Sequence, residues 1–322
     1  MKLATANASR WRGQAGHYEA WHLRLLDPAS ASSAWIRHSF RAPTSGGGDP
    51  LAETWFVGRL PGGELYARQE THRIDQFQTG AGGFPITVAS STLDEDRAQG
   101  SVDAAHWNLS WEQASDPVEY GSGTRLRRPE IVVSQPAIRV SGMLGIGDQE
   151  VAVRNWPAQQ VHAWGSRHAE VSARVHCNAF AAAADFVEVA SRRYDHLGRV
   201  TPLVTMGSVS AGGFRHSASS IAAGIVSHAD FEPDFFRFTL RGPRTRITGS
   251  VQCALDDLVG VAYRDPDGSR VFSYQADRAQ IEVRVQRRRA RGWSVVAELA
   301  ASAGCAYEYA ARKPVPGVPV VL

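Results

Sequence analysis

Residues 17–27 read HYEAWHLRLLD and residues 34–42 read AWIRHSFRA, and a polar turn separates the two runs. Apolar residues recur in both runs with a spacing of two, which is the period of side chains along a β-strand. The two runs therefore predict an antiparallel strand pair near the start of the chain.

The same alternation continues along the rest of the sequence. Residues 52–60 and 64–72 flank Pro61-Gly62-Gly63, and residues 259–264 and 270–275 flank a second turn at 265–269. Further strands are predicted at 86–93, 99–112, 130–140, 281–288, 293–299 and 305–312. Only residues 179–184 have a helical character, and they are too few to form a convincing helix. The pattern predicts an all-β protein, and many strands at close spacing are typical of barrels or sandwiches.

Composition excludes several classes of protein. The 322 residues are 43% hydrophobic and 21% charged, which is typical of a chain with a packed core. No apolar run approaches the roughly 18 residues of a membrane-spanning helix. The net charge is +3, and the basic residues are almost all arginines dispersed along the chain, so no nucleic-acid partner is indicated. The first twenty residues lack an apolar signal region, and a cytoplasmic location is the default expectation.

Motifs for cofactors are missing from the sequence. It contains no P-loop, no GxGxxG between a strand and a helix, and no GxSxG. The cysteines Cys177, Cys253 and Cys305 are far apart, with no CxxC pair, so neither a disulfide framework nor a structural zinc site is indicated. We therefore expect no cofactor and no bound metal.

A domain boundary is indicated between residues 142 and 166. The segment 142–148 is rich in glycine, and Trp156-Pro157 is expected to interrupt strand pairing. We divide the chain into residues 1–160 and 161–322. Each half then has the size of a single barrel that can hold a small ligand.

Polar residues are densest at 161–180, VHAWGSRHAEVSARVHCNAF. A strand at 169–180 would have one polar face, with Glu170, Ser172, Arg174, His176, Asn178 and Phe180, and one face of small residues, with Ala169, Val171, Ala173, Val175, Cys177 and Ala179. Two interpretations stay open. Either the polar face lines a barrel cavity while the small face packs on the neighbouring domain, or the polar face is exposed to solvent.

His162 and Trp164 lie two residues apart, so both side chains point the same way on a strand. An imidazole beside an indole suits acid catalysis on an unsaturated apolar substrate, because the ring donates a proton and the indole stabilises developing positive charge. A satisfied histidine packed on a core tryptophan is the structural alternative. Zinc binding by His162, His168 and His176 is a weaker one, since their spacing matches no common ligand motif.

A second cluster opens the chain and contains Tyr18, Glu19 and Trp21. Arg37, on the partner strand, is predicted to form an ion pair with Glu19 across the two strands. The cluster either lines a ligand cavity or forms a polar plug that ties the floor of a barrel.

Several motifs resemble a lipocalin-like superfamily that includes carotenoid 1,2-hydratases (hydroxyneurosporene synthases), tocopherol cyclases and lipocalin-like Diels–Alderases. They are GHYEAW at 16–21 with WIR at 35–37, HAWG at 162–165, HCNAF at 176–180 and YEYAAR at 307–312. The resemblance implies two calycin-type β-barrels side by side and a hydrophobic ligand bound without a cofactor. The hydratases are similar in having a His-x-Trp pair, which His162 and Trp164 match. They also have a Tyr-x-Asp, for which this chain offers only Tyr194-Asp195.

These observations lead to one hypothesis about activity and two alternatives. We expect a cofactor-independent cyclase, isomerase or hydratase acting on a hydrophobic isoprenoid-like or polyketide-like molecule. The expected catalytic residues are His162, Trp164 and His176, and the expected substrate-binding residues are Tyr18, Glu19, Trp21, Arg37, Arg167 and Asn178. The alternatives are a non-catalytic carrier or sensor of lipophilic molecules and a partner-binding protein with a filled barrel. The sequence does not indicate the oligomeric state.

Overall fold

The computed structural model describes residues 3–30, 32–113, 116–120, 130–196, 198–290 and 292–322, and its regular structure is almost entirely β. Two short α-helices, α1 (Leu3–Asn7) and α2 (Ile221–Val226), and three 3-10 turns (Ile74–Gln76, Ala81–Gly83 and Leu255–Asp257) accompany the strands. Among the described residues, no helix has the length and apolar character needed to cross a membrane.

Twelve strands form the first sheet, which curls into a nearly closed barrel. They are β1 (His17–Asp27), β2 (Ser32–Ala42), β3 (Leu51–Arg59), β4 (Tyr66–Arg73), β5 (Phe77–Thr79), β6 (Ile86–Val88), β7 (Ser91–Leu93), β8 (Arg97–Val102), β9 (Ala105–Trp111), β10 (Val118–Tyr120), β11 (Glu130–Ile146) and β12 (Gln149–Gly165). Their order is β4-β3-β2-β1-β12-β11-β9-β8-β7-β6-β5, with β10 paired to β11.

The second sheet is a ten-stranded half-barrel, and a two-stranded ribbon of β15 (Asp195–His196) and β16 (Arg199–Val200) lies apart from it. Its strands are β13 (Val171–Cys177), β14 (Phe186–Arg193), β17 (Val204–Ala211), β18 (Phe214–Ala218), β19 (His228–Glu232), β20 (Phe235–Arg241), β21 (Thr245–Gln252), β22 (Val259–Arg264), β23 (Arg270–Arg289) and β24 (Gly292–Ala311). The order is β18-β17-β14-β13-β24-β23-β21-β20-β19, with β22 paired to β23.

The structure confirms the predicted all-β class with two barrel-like sheets. The opening strand pair is present as β1 and β2, and the turn at 265–269 joins β22 to β23. The runs predicted at 281–288 and 293–299 are parts of one long hairpin, β23–β24. Residues 179–184 are not helical.

The strands of the second half begin a few residues after the division predicted between residues 160 and 161. Residues 142–156, which we expected to contain a break, instead lie mostly in the β11–β12 hairpin, with a turn at 147–148. The first sheet ends at Gly165 and the second begins at Val171. The division of the chain into two domains, residues 1–160 and 161–322, stays a prediction.

Side chains fill the interior of the first barrel. The alternate residues of β1 that face inward, such as Trp21 and Leu23, pack with side chains from across the barrel, including Phe56 and Trp107. Phe56 is fully buried, and its ring stacks on that of Trp107 with a centroid distance of 5.8 Å. A lipocalin-type ligand cavity at this level of the barrel is therefore occupied by the protein itself.

The outer face of β1–β3 packs against the second sheet. Trp35 and Trp55 from the first sheet form one buried cluster with Tyr263 and Val271 from the second. An ion pair between Arg24 of β1 and Asp277 of β23 crosses the same boundary, with 2.6 Å between Nε and Oδ1. We refer to this contact between the two sheets as the joint.

The two faces of β13 lie differently from both predictions, which placed its polar face either in a barrel cavity or in solvent. Its small residues Ala173, Val175 and Cys177 belong to the core of the second sheet. Its polar residues face the joint, where Arg174 donates to Gln159 of β12 at 2.7 Å. The polar face therefore neither lines a barrel cavity nor faces solvent. Alternation along a strand separates its faces but does not identify what covers each one.

Replacement of Phe56 by Ala is expected to destabilise the protein by about 3–5 kcal/mol, because it leaves a cavity in a filled, fully buried core. Urea unfolding at neutral pH, followed by circular dichroism, measures the change. Val226→Ala, at an exposed position, is the control and should change the free energy of unfolding by less than about 0.5 kcal/mol. A Phe56→Ala loss as small as that of the control would contradict a filled barrel.

Candidate functional site

Glu19 and His162 form a fully buried pair inside the first barrel. His162 Nε2 lies 2.7 Å from Glu19 Oε1, and Nδ1 donates to the Ala6 carbonyl at 2.8 Å. The other carboxylate oxygen accepts from Ser9 Oγ at 2.9 Å and from the Trp11 backbone N–H at 3.2 Å. The N-terminal segment, residues 3–11, is thereby fastened to β1 and β12.

The contacts of Glu19 with histidines explain how its carboxylate stays ionised although it is buried. Burial alone would raise the pKa of Glu19, but the hydrogen bond from His162 and the contact with His17 Nε2 at 3.5 Å outweigh it and lower the pKa to about 2. Protein oxygens lie against both ring nitrogens of His162, a carboxylate oxygen at Nε2 and a carbonyl oxygen at Nδ1. Both nitrogens are then engaged by the protein, and neither faces a cavity.

Trp21 and Trp164 flank His162 inside the barrel. Trp21 stacks on the imidazole with a centroid distance of 4.6 Å and donates from Nε1 to the Asn7 carbonyl. Trp164 lies 4.6 Å from the same ring in a tilted arrangement. The four predicted site residues Glu19, Trp21, His162 and Trp164 are thus neighbours within one packed cluster.

The predicted ion pair between Glu19 and Arg37 is wrong. Arg37 pairs in register with His22, whereas Glu19 pairs with Phe40. Because successive side chains alternate between the faces of a strand, Glu19 points into the barrel and Arg37 points outward to the joint.

His176 and Asn178 lie in the joint and are buried. Glu188 accepts from Arg174 at 2.7 Å and lies 2.8 Å from His176 Nδ1, and Asn178 donates to the Ala158 carbonyl at 2.6 Å. Burial lowers the pKa of His176 despite the contact with Glu188. These side chains connect the two sheets.

Arg167 lies on the segment between β12 and β13. Its Nη2 is 3.2 Å from Glu170 Oε1, and its side chain is partly exposed. It does not line the cavities at the joint that are described next.

Two adjoining cavities of about 250 and 90 Å³ open at the joint. Both are lined by Tyr18 of the first sheet and by His168 and Tyr263 of the second half. Arg37 and Trp55 line the larger one, and Arg174, Arg192, Tyr194 and Glu308 contribute to the smaller one. We call the two cavities together the joint cleft. Larger depressions of about 550 and 630 Å³ lie elsewhere, and no described histidine, cysteine or tyrosine lines them.

His168 and Asp265 form a dyad at the cleft. His168 Nδ1 lies 2.5 Å from Asp265 Oδ1, and its backbone N–H donates to the same oxygen at 2.9 Å. Arg312 Nη1 donates to Asp265 Oδ2 at 2.6 Å. Burial would raise the pKa of Asp265, but His168 and Arg312 lower it to about 2. No described residue forms a hydrogen bond with His168 Nε2, which leaves that nitrogen for a bound molecule.

Tyrosine rings form the walls beside this imidazole. Tyr18 stacks on His168 at 4.2 Å with an angle of 9° between planes, and Tyr263 stacks at 5.5 Å. Burial raises the pKa of Tyr18 and raises that of Tyr263 to about 12, so both stay neutral phenols. No described residue forms a hydrogen bond with the Tyr18 hydroxyl. The cleft thus contains an oriented imidazole and a neutral phenol.

Of the predicted site residues, Tyr18 and Arg37 lie at the cleft, whereas His168, Asp265 and Tyr263 had not been selected. His168 was noted only within the dense cluster and as one of three weak zinc-ligand candidates, and Asp265 only as the start of a turn. Nothing in the sequence connects two loop residues that are 97 positions apart. His162, His168 and His176 lie in three separate places, and no described group of three or more His, Cys, Asp or Glu side chains could hold a metal ion.

Comparisons with known protein sequences find relatives of uncharacterized function. No protein-family model matches the chain. The uncharacterized proteins MT0513 and Rv0493c, from two strains of Mycobacterium tuberculosis, are each 26% identical over 312 residues, covering 91% of this chain and 87% of theirs.

Among solved structures, a candidate AttH from Nitrosomonas europaea has a TM-score of 0.59 at 12% identity, covering 97% of this chain and 99% of that one. CghA with Sch210972 has a TM-score of 0.58 at 8% identity, covering 92% and 88%. Kievitone hydratase from Nectria haematococca has a TM-score of 0.55 at 7% identity, covering 97% and 92%. These structures confirm the predicted lipocalin-like fold.

The Glu19–His162 pair predicts a specific sensitivity to acid. The pKa of Glu19, about 2 in the folded protein, lies below its ordinary value of 4.5, so its stabilising contribution is complete above pH 4.5 and is lost as the pH falls toward 2. Between pH 7 and pH 3 the wild type should lose about 2 kcal/mol more unfolding free energy than Glu19→Gln.

Urea unfolding at the two pH values measures this difference. Glu298→Gln, which removes one partner of an exposed ion pair, should lose stability with acid as the wild type does. An equal acid loss in wild type and Glu19→Gln would contradict the assignment.

Proposed function

We propose that the protein is a cofactor-independent enzyme that binds a hydrophobic small molecule in the joint cleft and moves a proton through His168. The observation that carries this proposal is the dyad, in which Asp265 holds Nδ1 while Nε2 is left toward the cleft. Proton transfer by an oriented imidazole requires no cofactor.

The two members of the dyad have different roles. His168 Nε2 accepts a proton when the ring is neutral and donates one when the ring is charged. Asp265 fixes the ring orientation and stabilises the imidazolium as it forms, as an ionised carboxylate does in other His–Asp pairs. Arg312 shares the charge of Asp265 and also donates to the His168 carbonyl at 2.5 Å, so both residues are held in place.

The walls of the cleft favour a flat, unsaturated substrate. Tyr18, Trp55 and Tyr263 present aromatic surface, which binds planar apolar groups and stabilises cationic charge. The Tyr18 hydroxyl can donate a hydrogen bond to a substrate oxygen. A cyclisation, isomerisation or hydration of an isoprenoid-like or polyketide-like molecule fits these groups. Similarity to a kievitone hydratase and to CghA with Sch210972 supports a small organic substrate.

This proposal moves the acid–base role from His162 to His168. Both ring nitrogens of His162 are bound by protein groups in a closed core, whereas His168 borders a cavity. The carrier alternative would need only the cavity and no proton transfer. The two functions therefore differ in whether the cleft contains a working base.

A general-base probe distinguishes them. The wild type should accelerate the ring opening of 5-nitrobenzisoxazole, in which a base removes the C3 proton, the N–O bond breaks and a cyanophenolate forms. His168→Gln should lower the rate by about 100-fold or more. Absorbance of the phenolate measures it.

His106→Gln is the matched control, because His106 is a partly exposed histidine that also contacts a carboxylate, Glu150, at 3.0 Å. It should keep the wild-type rate. Full activity of His168→Gln would overturn the assignment. If a hydrophobic dye bound to the cleft while the wild type was no faster than free imidazole, the protein would be a carrier.

A further inference from the structure

Two arginines of the joint cleft are buried without a carboxylate partner. Arg37 is 9% exposed and Arg192 is 8% exposed. No described residue forms an ion pair with either, or accepts a hydrogen bond from either, and Arg37 Nε is buried with no partner. A buried charge that lacks a counter-charge is costly and uncommon in folded proteins.

Three other arginines near the cleft, two of them buried and Arg312 half-buried, have carboxylate partners. Arg24 pairs with Asp277, Arg174 with Glu188, and Arg312 with Asp265. Among the described residues, the joint therefore pairs three guanidinium groups with carboxylates, including that of the cavity-lining Arg174, and leaves those of Arg37 and Arg192 without a carboxylate partner.

Aromatic rings account for part of the burial of Arg37. Its Cζ lies 4.3 Å from the Tyr263 ring centroid and 5.8 Å from those of Trp35 and Trp55. These contacts hold the guanidinium against the cavity wall, but a ring face does not accept the directed hydrogen bonds that guanidinium donates to an oxyanion.

The two carboxylates that line the cleft, Glu53 and Glu308, bind other groups instead of Arg37 or Arg192. Glu53 accepts from Ser39 Oγ and Trp55 Nε1 at 3.2 and 3.3 Å, and Glu308 accepts from Ser273 Oγ at 2.6 Å. Neither forms an ion pair with Arg37 or Arg192 among the described residues. Both arginines act electrostatically on Tyr18, which lies between the two cavities.

We infer that the ligand of the joint cleft is a hydrophobic carboxylic acid, with its carboxylate bound by Arg37 in the field of Arg192 and its apolar part against Trp55 and Tyr263. This inference rests on the proposed function for the identity of the site and adds the chemical class of its substrate. The ligand supplies the counter-charge that no described residue provides, so binding removes the penalty of the buried guanidinium.

A pair of probes of equal shape tests the charge. 2-Naphthoate and neutral 2-naphthamide differ mainly in the anionic group, and isothermal titration calorimetry compares their affinities. The wild type should bind naphthoate at least about 10-fold more tightly, as expected for a charge-assisted bidentate contact. Arg37→Met should lose this preference while still binding the amide, and Arg192→Met should reduce it.

Arg284→Met is the matched control, because Arg284 is an exposed arginine paired with Glu298 outside the cleft. It should bind both probes as the wild type does. Arg37→Lys keeps the charge without the planar fork and should keep part of the preference. Circular dichroism confirms that each variant is folded. If Arg37→Met does not fold, the comparison of Arg192→Met with the wild type tests the inference in its place.

Equal affinity of the wild type for the two probes, or binding of neither, would overturn the inference, as would a preference that survives in the Arg37→Met/Arg192→Met double variant. The same experiments distinguish failure of this inference from failure of the proposed function. Binding of the amide alone together with His168-dependent proton transfer would leave the enzyme proposal in place, with a neutral substrate. A naphthoate preference without His168-dependent catalysis would support the acid-binding site and identify a carrier.

Discussion

The structure depends on strands that are buried on both faces. In β1 every residue except His22 and Asp27 is buried, because one face points into the first barrel and the other is covered by the second sheet. A strand in this position cannot send its polar groups to water, so each needs a partner inside the protein. Glu19 finds His162 on the barrel side, and Arg24 finds Asp277 across the joint.

This requirement explains the role of the N-terminal segment. The carboxylate of Glu19 is satisfied by groups from residues 9–11 as well as by His162, and the Asn7 side chain donates to Gln160 at 2.7 Å. Residues with little regular structure of their own are therefore positioned by the polar atoms of the barrel, and they cover its aromatic interior. Of the residues considered for a polar plug, Glu19 and Trp21 lie on the barrel side of β1, whereas Tyr18 and Arg37 lie at the joint cleft.

Strands were predictable because their signal is local. The alternation in 17–27 and 34–42 depends only on neighbouring residues, and β1 and β2 follow those runs closely. The partner of each face was not predictable, since the polar face of β13 would look the same beside solvent, a cavity or a second sheet. The dyad of His168 and Asp265 was hidden for a related reason, because two loops meet there only after both sheets have formed and packed.

The filled interior of the first barrel has a consequence for how such proteins diverge. In a barrel filled by its own side chains, the sequence must keep the total side-chain volume and the alternation of apolar and polar residues, and many sequences satisfy both conditions. Tyr18, His168 and Tyr263, which line both cavities of the joint cleft, lie outside the core of the first barrel, so they can be exchanged without leaving a hole in that core. Conservation of architecture at 7–12% identity among the solved structures fits a scaffold of this kind. Under the proposed function, a new activity of this chain is best sought by varying the residues between the two sheets rather than those inside the first barrel.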